Sequence, residues 1–122
     1  MNTFTIELTS KYAAWDDYNV RMMCELQDAD GQRTGFASAT GKVKGTTALT
    51  TEPCVRVRLF VYVIPDTLPA ERDVDRLPDF AAVLRAECDG RRISEERIGI
   101  NPWGGLSLER MFDAEGVIKT MK

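Results

Sequence analysis

Val55-Arg56-Val57-Arg58-Leu59-Phe60-Val61-Tyr62-Val63-Ile64, stopped by Pro65-Asp66, is the stretch that decides the fold. Its residues are β-branched, aromatic or alternating, which is strand chemistry. Successive side chains of a strand face opposite ways. Val55, Val57, Leu59, Val61 and Val63 therefore share one apolar face. The other face starts charged, at Arg56 and Arg58, and ends apolar, at Phe60, Tyr62 and Ile64. A strand wet at one end and covered on both sides at the other belongs deep in a β-structure, in the shared core of a sandwich.

The flanking segments repeat that pattern. Phe4, Ile6 and Leu8 alternate with Thr3, Thr5, Glu7 and Thr9, a half-buried strand. Tyr18, Val20, Met22, Cys24 and Leu26 point inward in a second alternation, with Asn19, Arg21, Glu25 and Gln27 outward. Asp28-Ala29-Asp30-Gly31 is a turn. Residues 33–51, rich in Thr, Ala, Gly and Ser, read as one or two short, irregular strands near an edge. Residues 79–90 read two ways: a helical stripe of Phe80, Val83, Leu84 and Cys88 behind an Asp79 cap, or the first arm of a hairpin. The turn signal Cys88-Asp89-Gly90-Arg91 favours a hairpin from about Ala82 to Ile100. Leu106 to Phe112 is a last strand or short helix, and Asp113 to Lys122 a tail.

The fold expected is an all-β, two-sheet antiparallel sandwich of seven to eight strands, C2-like or transthyretin-like in shape. One long loop, at 66–78, interrupts it. The 122 residues make a single domain, long enough to bury a core.

Composition narrows the function classes. A net charge of −3 and a pI near 5.0 argue against nucleic acid as a partner. No run of 18 apolar residues spans a membrane, and no basic-then-apolar leader opens the chain. The three cysteines, Cys24, Cys54 and Cys88, lie far apart without a Cys-x-x-Cys pair. They read as buried free thiols in a reducing compartment, so the cytoplasm is the expected location.

There is no histidine. That removes His-based nucleophile systems and His-containing zinc sites, and lowers the expectation of an enzyme. Gly35 to Lys42 imitates a phosphate-binding loop, but five residues separate its glycines and Val43 follows the lysine. Asp28-x-Asp30-Gly31 lacks the remaining ligands of a calcium loop. Glu95 and Glu96 point to opposite faces of a strand, the wrong geometry for shared acid–base work. Arg56, Arg58, Arg91, Arg92 and Arg97 are interspersed with Glu87, Glu95 and Glu96, which predicts cross-strand ion pairs rather than a basic face.

What remains is a non-enzymatic protein-binding module, a bacterial adaptor, an inhibitor or immunity-type protein, or an assembly component, with no cofactor and no metal. A homo-oligomer is compatible with that reading. The weak strand region at 33–51 is the edge most open to strand addition. The expected partner surface is Asn101 to Gly105 together with the 66–78 loop. In it Trp103 is an aromatic anchor, Asn101 and Gly104 shape its loop, and Arg72, Asp73 and Arg76 give a polar rim. Trp103 and Trp15 can instead fold back to plug the end of the sandwich. The alternative function is a C2-like calcium and lipid module using Asp16, Asp17, Asp66 and Asp73, or a carbohydrate-binding module using an exposed Trp.

Overall fold

The computed structural model describes residues 2–10, 18–42, 45–65, 80–100 and 106–118. Nine strands run through them and no helix: β1 Phe4–Ser10, β2 Tyr18–Gln27, β3 Arg33–Lys42, β4 Gly45–Thr50, β5 Arg56–Pro65, β6 Phe80–Cys88, β7 Arg91–Ile100, β8 Leu106–Asp113 and β9 Gly116–Val117. Every pairing is antiparallel. Four strands form one sheet in the order β4-β1-β6-β7, and five form the other in the order β3-β2-β5-β8-β9. The expected sandwich is the fold.

The two sheets meet on their alternating apolar faces. Phe4, Ile6 and Leu8 of β1 and Ala82, Leu84 and Ala86 of β6 are buried against Val20, Met22 and Cys24 of β2 and Val57, Leu59, Val61 and Val63 of β5. Period-two alternation places all of these side chains between the sheets without local strain. The core face of β5 begins one residue pair later than its sequence suggests. Val55 stands before the strand and is only half-buried, while Cys54 next to it is buried and bridges Asn2.

Four further readings of the sequence are corrected. Residues 33–51 are not short and irregular: β3 has ten residues, and β3 and β4 belong to different sheets, each at its edge. Small side chains hide a strand's periodicity, because Gly, Ala and Ser fit either face. Of the two readings of Leu106 to Phe112, strand is the one that forms, and the expected tail is corrected: β9 within it pairs with β8, bringing the count above eight. Gln27, expected outward, is buried, because a register shift at Leu26/Gln27 adds Thr34 to the partner strand. Lastly, the second face of β5 is not covered at its apolar end: Phe60 and Tyr62 are half-buried and Ile64 is half exposed.

The hairpin from β6 to β7 forms as its turn chemistry predicts. Asp89 and Gly90 both have positive φ, 52° and 86°, the backbone of a tight two-residue turn. Asp89 also fastens the hairpin to the start of β1: its carboxylate accepts from the Thr3 N–H at 2.9 Å, and its own N–H donates to the Thr3 carbonyl.

The sandwich closes differently at its two sides. Beside β7 and β8, Glu96 and Arg110 form a two-point ion pair between the sheets, with N···O distances of 2.9 and 2.6 Å. Beside β3 and β4 the sheets meet through a close backbone approach. There Gly41 lies so close to Thr47 that a Cβ on it would stand 2.5 Å from the Thr47 hydroxyl oxygen.

Candidate functional site

The surface expected from the sequence, Asn101, Trp103 and Gly104 with Arg72, Asp73 and Arg76, lies outside the described residues. So do the 66–78 loop, Trp15, and the acids Asp16, Asp17 and Asp66 of the calcium reading. The candidate site within the described residues comes from comparing the two outer faces of the sandwich.

The outer face of the four-stranded sheet is polar. Its rows run Thr50, Thr5 and Glu87; then Ala48, Glu7, Arg85 and Glu95; then Thr46, Thr9, Val83 and Arg97. Hydroxyl pairs Thr5–Thr50 and Thr9–Thr46, at 3.3 and 3.1 Å, and the Arg85–Glu95 ion pair lace it together. The carboxyl of Glu95 is held below its usual range by the Arg85 guanidinium.

The outer face of the five-stranded sheet is different. Register lines up Thr40, Arg21, Tyr62 and Ser107; Ser38, Met23, Phe60 and Glu109; and Phe36, Glu25, Arg58 and Met111, with Lys42, Asn19 and Ile64 at one end. Met23, Phe36 and Ile64 are 36%, 55% and 50% exposed, three of the four large apolar side chains exposed among the described residues. Phe60 and Tyr62 are half-buried between them. A sheet face that carries contiguous apolar side chains to solvent is the usual mark of an interaction surface.

Two arginines organise the aromatics. The Arg33 guanidinium lies 5.0 Å from the centre of the Phe36 ring, and Arg58 lies 5.2 Å from that of Phe60. Arg58 also bonds Glu109 on β8, which raises its already high pKa. Ion pairs form at Arg58–Glu109, Arg85–Glu95, Arg92–Glu95 and Glu96–Arg110. They are mostly not the ones expected from the sequence: Arg58, Glu95 and Glu96 find cross-strand partners in Glu109, Arg85 and Arg110, Arg92 meets Glu95 along one strand, and Arg56 and Arg91 donate to the Ala29 and Ala114 carbonyls. At the end of the face a shallow groove of about 520 Å³ opens over Asn19, Val20, Arg21, Thr40, Gly41, Lys42 and Ile64. No carboxylate stands among those residues.

The described residues hold no group of three or more His, Cys, Asp or Glu side chains placed to bind a metal ion. All three cysteines are free and buried, as the sequence suggests. Burial pushes the Cys24 thiol up to about 12, with its neighbour Cys54 adding to the shift, and burial also raises Cys54 and Cys88. At neutral pH they are protonated, packed thiols and poor nucleophiles. No helix among the described residues is long and apolar enough to cross a membrane.

Sequence reasoning missed this face because it treated Phe60, Tyr62 and Ile64 as covered and passed over Met23 and Phe36. Met23 is an apolar residue at an outward position of β2, and Phe36 is the one large side chain between Arg33 and Lys42. Only the register puts them beside Phe60.

No family model matches the chain, and no curated protein matches it. Two solved structures align along most of its length. A DUF4425 family protein from Bacteroides ovatus is 10% identical with a TM-score of 0.44, over 91% of this chain and 90% of that one. A domain of unknown function, DUF4425, from Bacteroides vulgatus is 11% identical with a TM-score of 0.45, over 91% and 89%.

Proposed function

We propose that this chain is a non-enzymatic protein-binding module, an adaptor, inhibitor or assembly component, that docks its partner on the outer face of the five-stranded sheet. The observation that carries the reading is the contrast between the two outer faces: one is polar and ion-paired, the other presents Phe36, Met23, Phe60, Tyr62 and Ile64 in adjoining rows. An apolar centre flanked by Arg58, Arg21 and Glu25 has the composition of a protein interface, where aromatics, Met and Arg are enriched.

A photo-crosslinking residue placed at Phe36, and separately at Thr5 on the polar face, tests this in the native cell. The Phe36 position should trap one protein in stoichiometric amount, and the Thr5 position should trap none. Equal labelling from both faces, or no adduct from Phe36, would overturn the reading. Capture of a second copy of this chain alone would replace it with self-assembly.

A further inference from the structure

We infer that two copies of this chain join along β3, antiparallel about a two-fold axis at Ser38, so that their five-stranded sheets become one. This contact is separate from the docking face and does not depend on what covers it.

The two sides of the sandwich end in different edges. Natural edge strands are guarded by charge, proline, a bulge or short length. One side is guarded: β7 carries Arg91, Arg92, Glu95, Glu96 and Arg97, and β9 has two residues. The other side, β3 and β4, has no charge from Thr34 to Gly41 or from Gly45 to Thr50, and no proline. β3 is the longer of the two, and among the described residues no strand lies on its free side. Its register shift falls at the Arg33 end, which leaves Gly35 to Lys42 as regular ladder. The core is also open along it. Ala37 and Ala39 point inward yet are only half-buried, whereas Cys24 and Met22, their neighbours on β2, are fully buried.

The edge selects a second copy because it is complementary to itself. Its regular, uncharged stretch is Gly35 to Gly41, with Ser38 at the centre. In an antiparallel pair about that centre, Ser38 meets Ser38 of the copy, Phe36 meets Thr40, Ala37 meets Ala39 and Gly35 meets Gly41. Every pair joins outward with outward or inward with inward, as strand alternation demands. No pair sets two large side chains or two charges together, since Arg33 and Lys42 both fall outside the stretch. The Ala37–Ala39 pairs meet on the inner side, where each edge leaves its core half-covered. A foreign strand finds no charge here to recognise, while a copy brings small against large at each outward position. On the outer face the row Glu109, Phe60, Met23, Ser38 runs on into the same row of the copy in reverse order. An isologous contact of this kind closes on itself as a dimer and sets the two docking faces side by side.

Sedimentation equilibrium of the full chain tests this, with variants at the exposed Ser38. The wild type should reach twice the 13.7 kDa mass of one chain, and high salt should not weaken it, because no opposite charges pair across the contact. Ser38→Lys and Ser38→Glu each set like charges directly opposite, and each alone should dimerise about tenfold or more weakly. Mixed in equal amounts, the two variants should recover the dimer. Directly opposite residues of an antiparallel pair lie about 4.5–5.5 Å apart, within reach of a disulfide. With the native cysteines buried, Ser38→Cys should therefore oxidise to a linked dimer. Thr40→Cys alone should not link, but should do so when mixed with Phe36→Cys. A wild type that stays monomeric at every concentration, a dimer that the charged variants leave intact, no recovery on mixing, or no Ser38 disulfide would overturn the inference. A photoprobe at Phe36 lies beside Thr40 of the copy, so it will trap the copy along with any partner. A partner adduct on a monomeric chain upholds docking and sinks the dimer. The copy as sole adduct, with recovery on mixing, does the reverse.

Discussion

Cys24 is fully buried between the sheets, opposite Leu59 on β5 and Ala37 on β3, and its thiol is raised to about 12. In the unfolded chain a thiol ionises near pH 8.5. A group that holds its proton more tightly when folded leaves stability unchanged below its unfolded pKa and removes it as pH climbs toward the folded one. Urea unfolding should therefore show constant stability up to about pH 8.5 and a decline above it, shallower in Cys24→Ala. A flat profile to pH 10.5 would contradict the burial. A second buried group has an opposite character. The Thr47 hydroxyl has no hydrogen-bond partner among the described residues and faces the close approach of Gly41. Thr47→Val removes an unsatisfied polar atom at nearly constant shape, and should be neutral or gain about 1 kcal/mol. A clear loss on chemical denaturation would mean the hydroxyl is bonded after all.

Among the elements, the β6–β7 hairpin depends on one residue more than its length suggests. Asp89 accepts positive φ and ties the turn to β1 through Thr3. Asp89→Ala places a side chain with no such tolerance there and breaks the carboxylate bond, for an expected loss of about 2 kcal/mol by urea titration. Asp89→Asn should lose less, since Asn tolerates this backbone. On the opposite edge of the same hairpin, Glu96 reaches across to Arg110 on the other sheet. Arg110 holds the Glu96 carboxyl below its usual range. A depressed carboxyl contributes stability that is complete above about pH 4.3 and lost as pH falls through the folded pKa. Both side chains remain about one-third exposed, which screens the pair. Glu96→Gln should cost roughly 1 kcal/mol at pH 7 and make the acid limb of the stability profile shallower, with the difference shrinking in high salt.

At the scale of the whole molecule, β5 separates the two kinds of apolar residue. Its odd-numbered side chains from Val57 to Val63 are at most 1% exposed, and its even-numbered ones open onto the outer face. Val57→Asp buries a charge with no partner and should unfold the chain or cost more than about 4 kcal/mol. Met23→Ser and Ile64→Thr, on the outer face, should change stability by no more than about 0.5 kcal/mol. They should nevertheless lower the binding of a hydrophobic dye to the native protein. If they destabilise it as a core change does, Met23 and Ile64 belong to the packing and the outer face is not free for a partner.

The sequence alone determined the sandwich, because strand periodicity is local. Phe4 to Leu8, Tyr18 to Leu26 and Val57 to Val63 each alternate over enough residues that only a two-sheet core can cover their apolar sides. The Asp89-Gly90 turn was equally legible, since positive φ demands particular residues wherever it occurs. Tertiary structure decided the rest. β3 and β4 carry mostly small side chains, so nothing local tells which sheet each joins. Phe36, Met23 and Phe60 are far apart along the chain, and nothing in their own segments says that they share a face. Antiparallel register is a long-range property: it sets Met23 beside Phe60 and Glu25 beside both Phe36 and Arg58, and with that it makes one interaction face out of three separate strands.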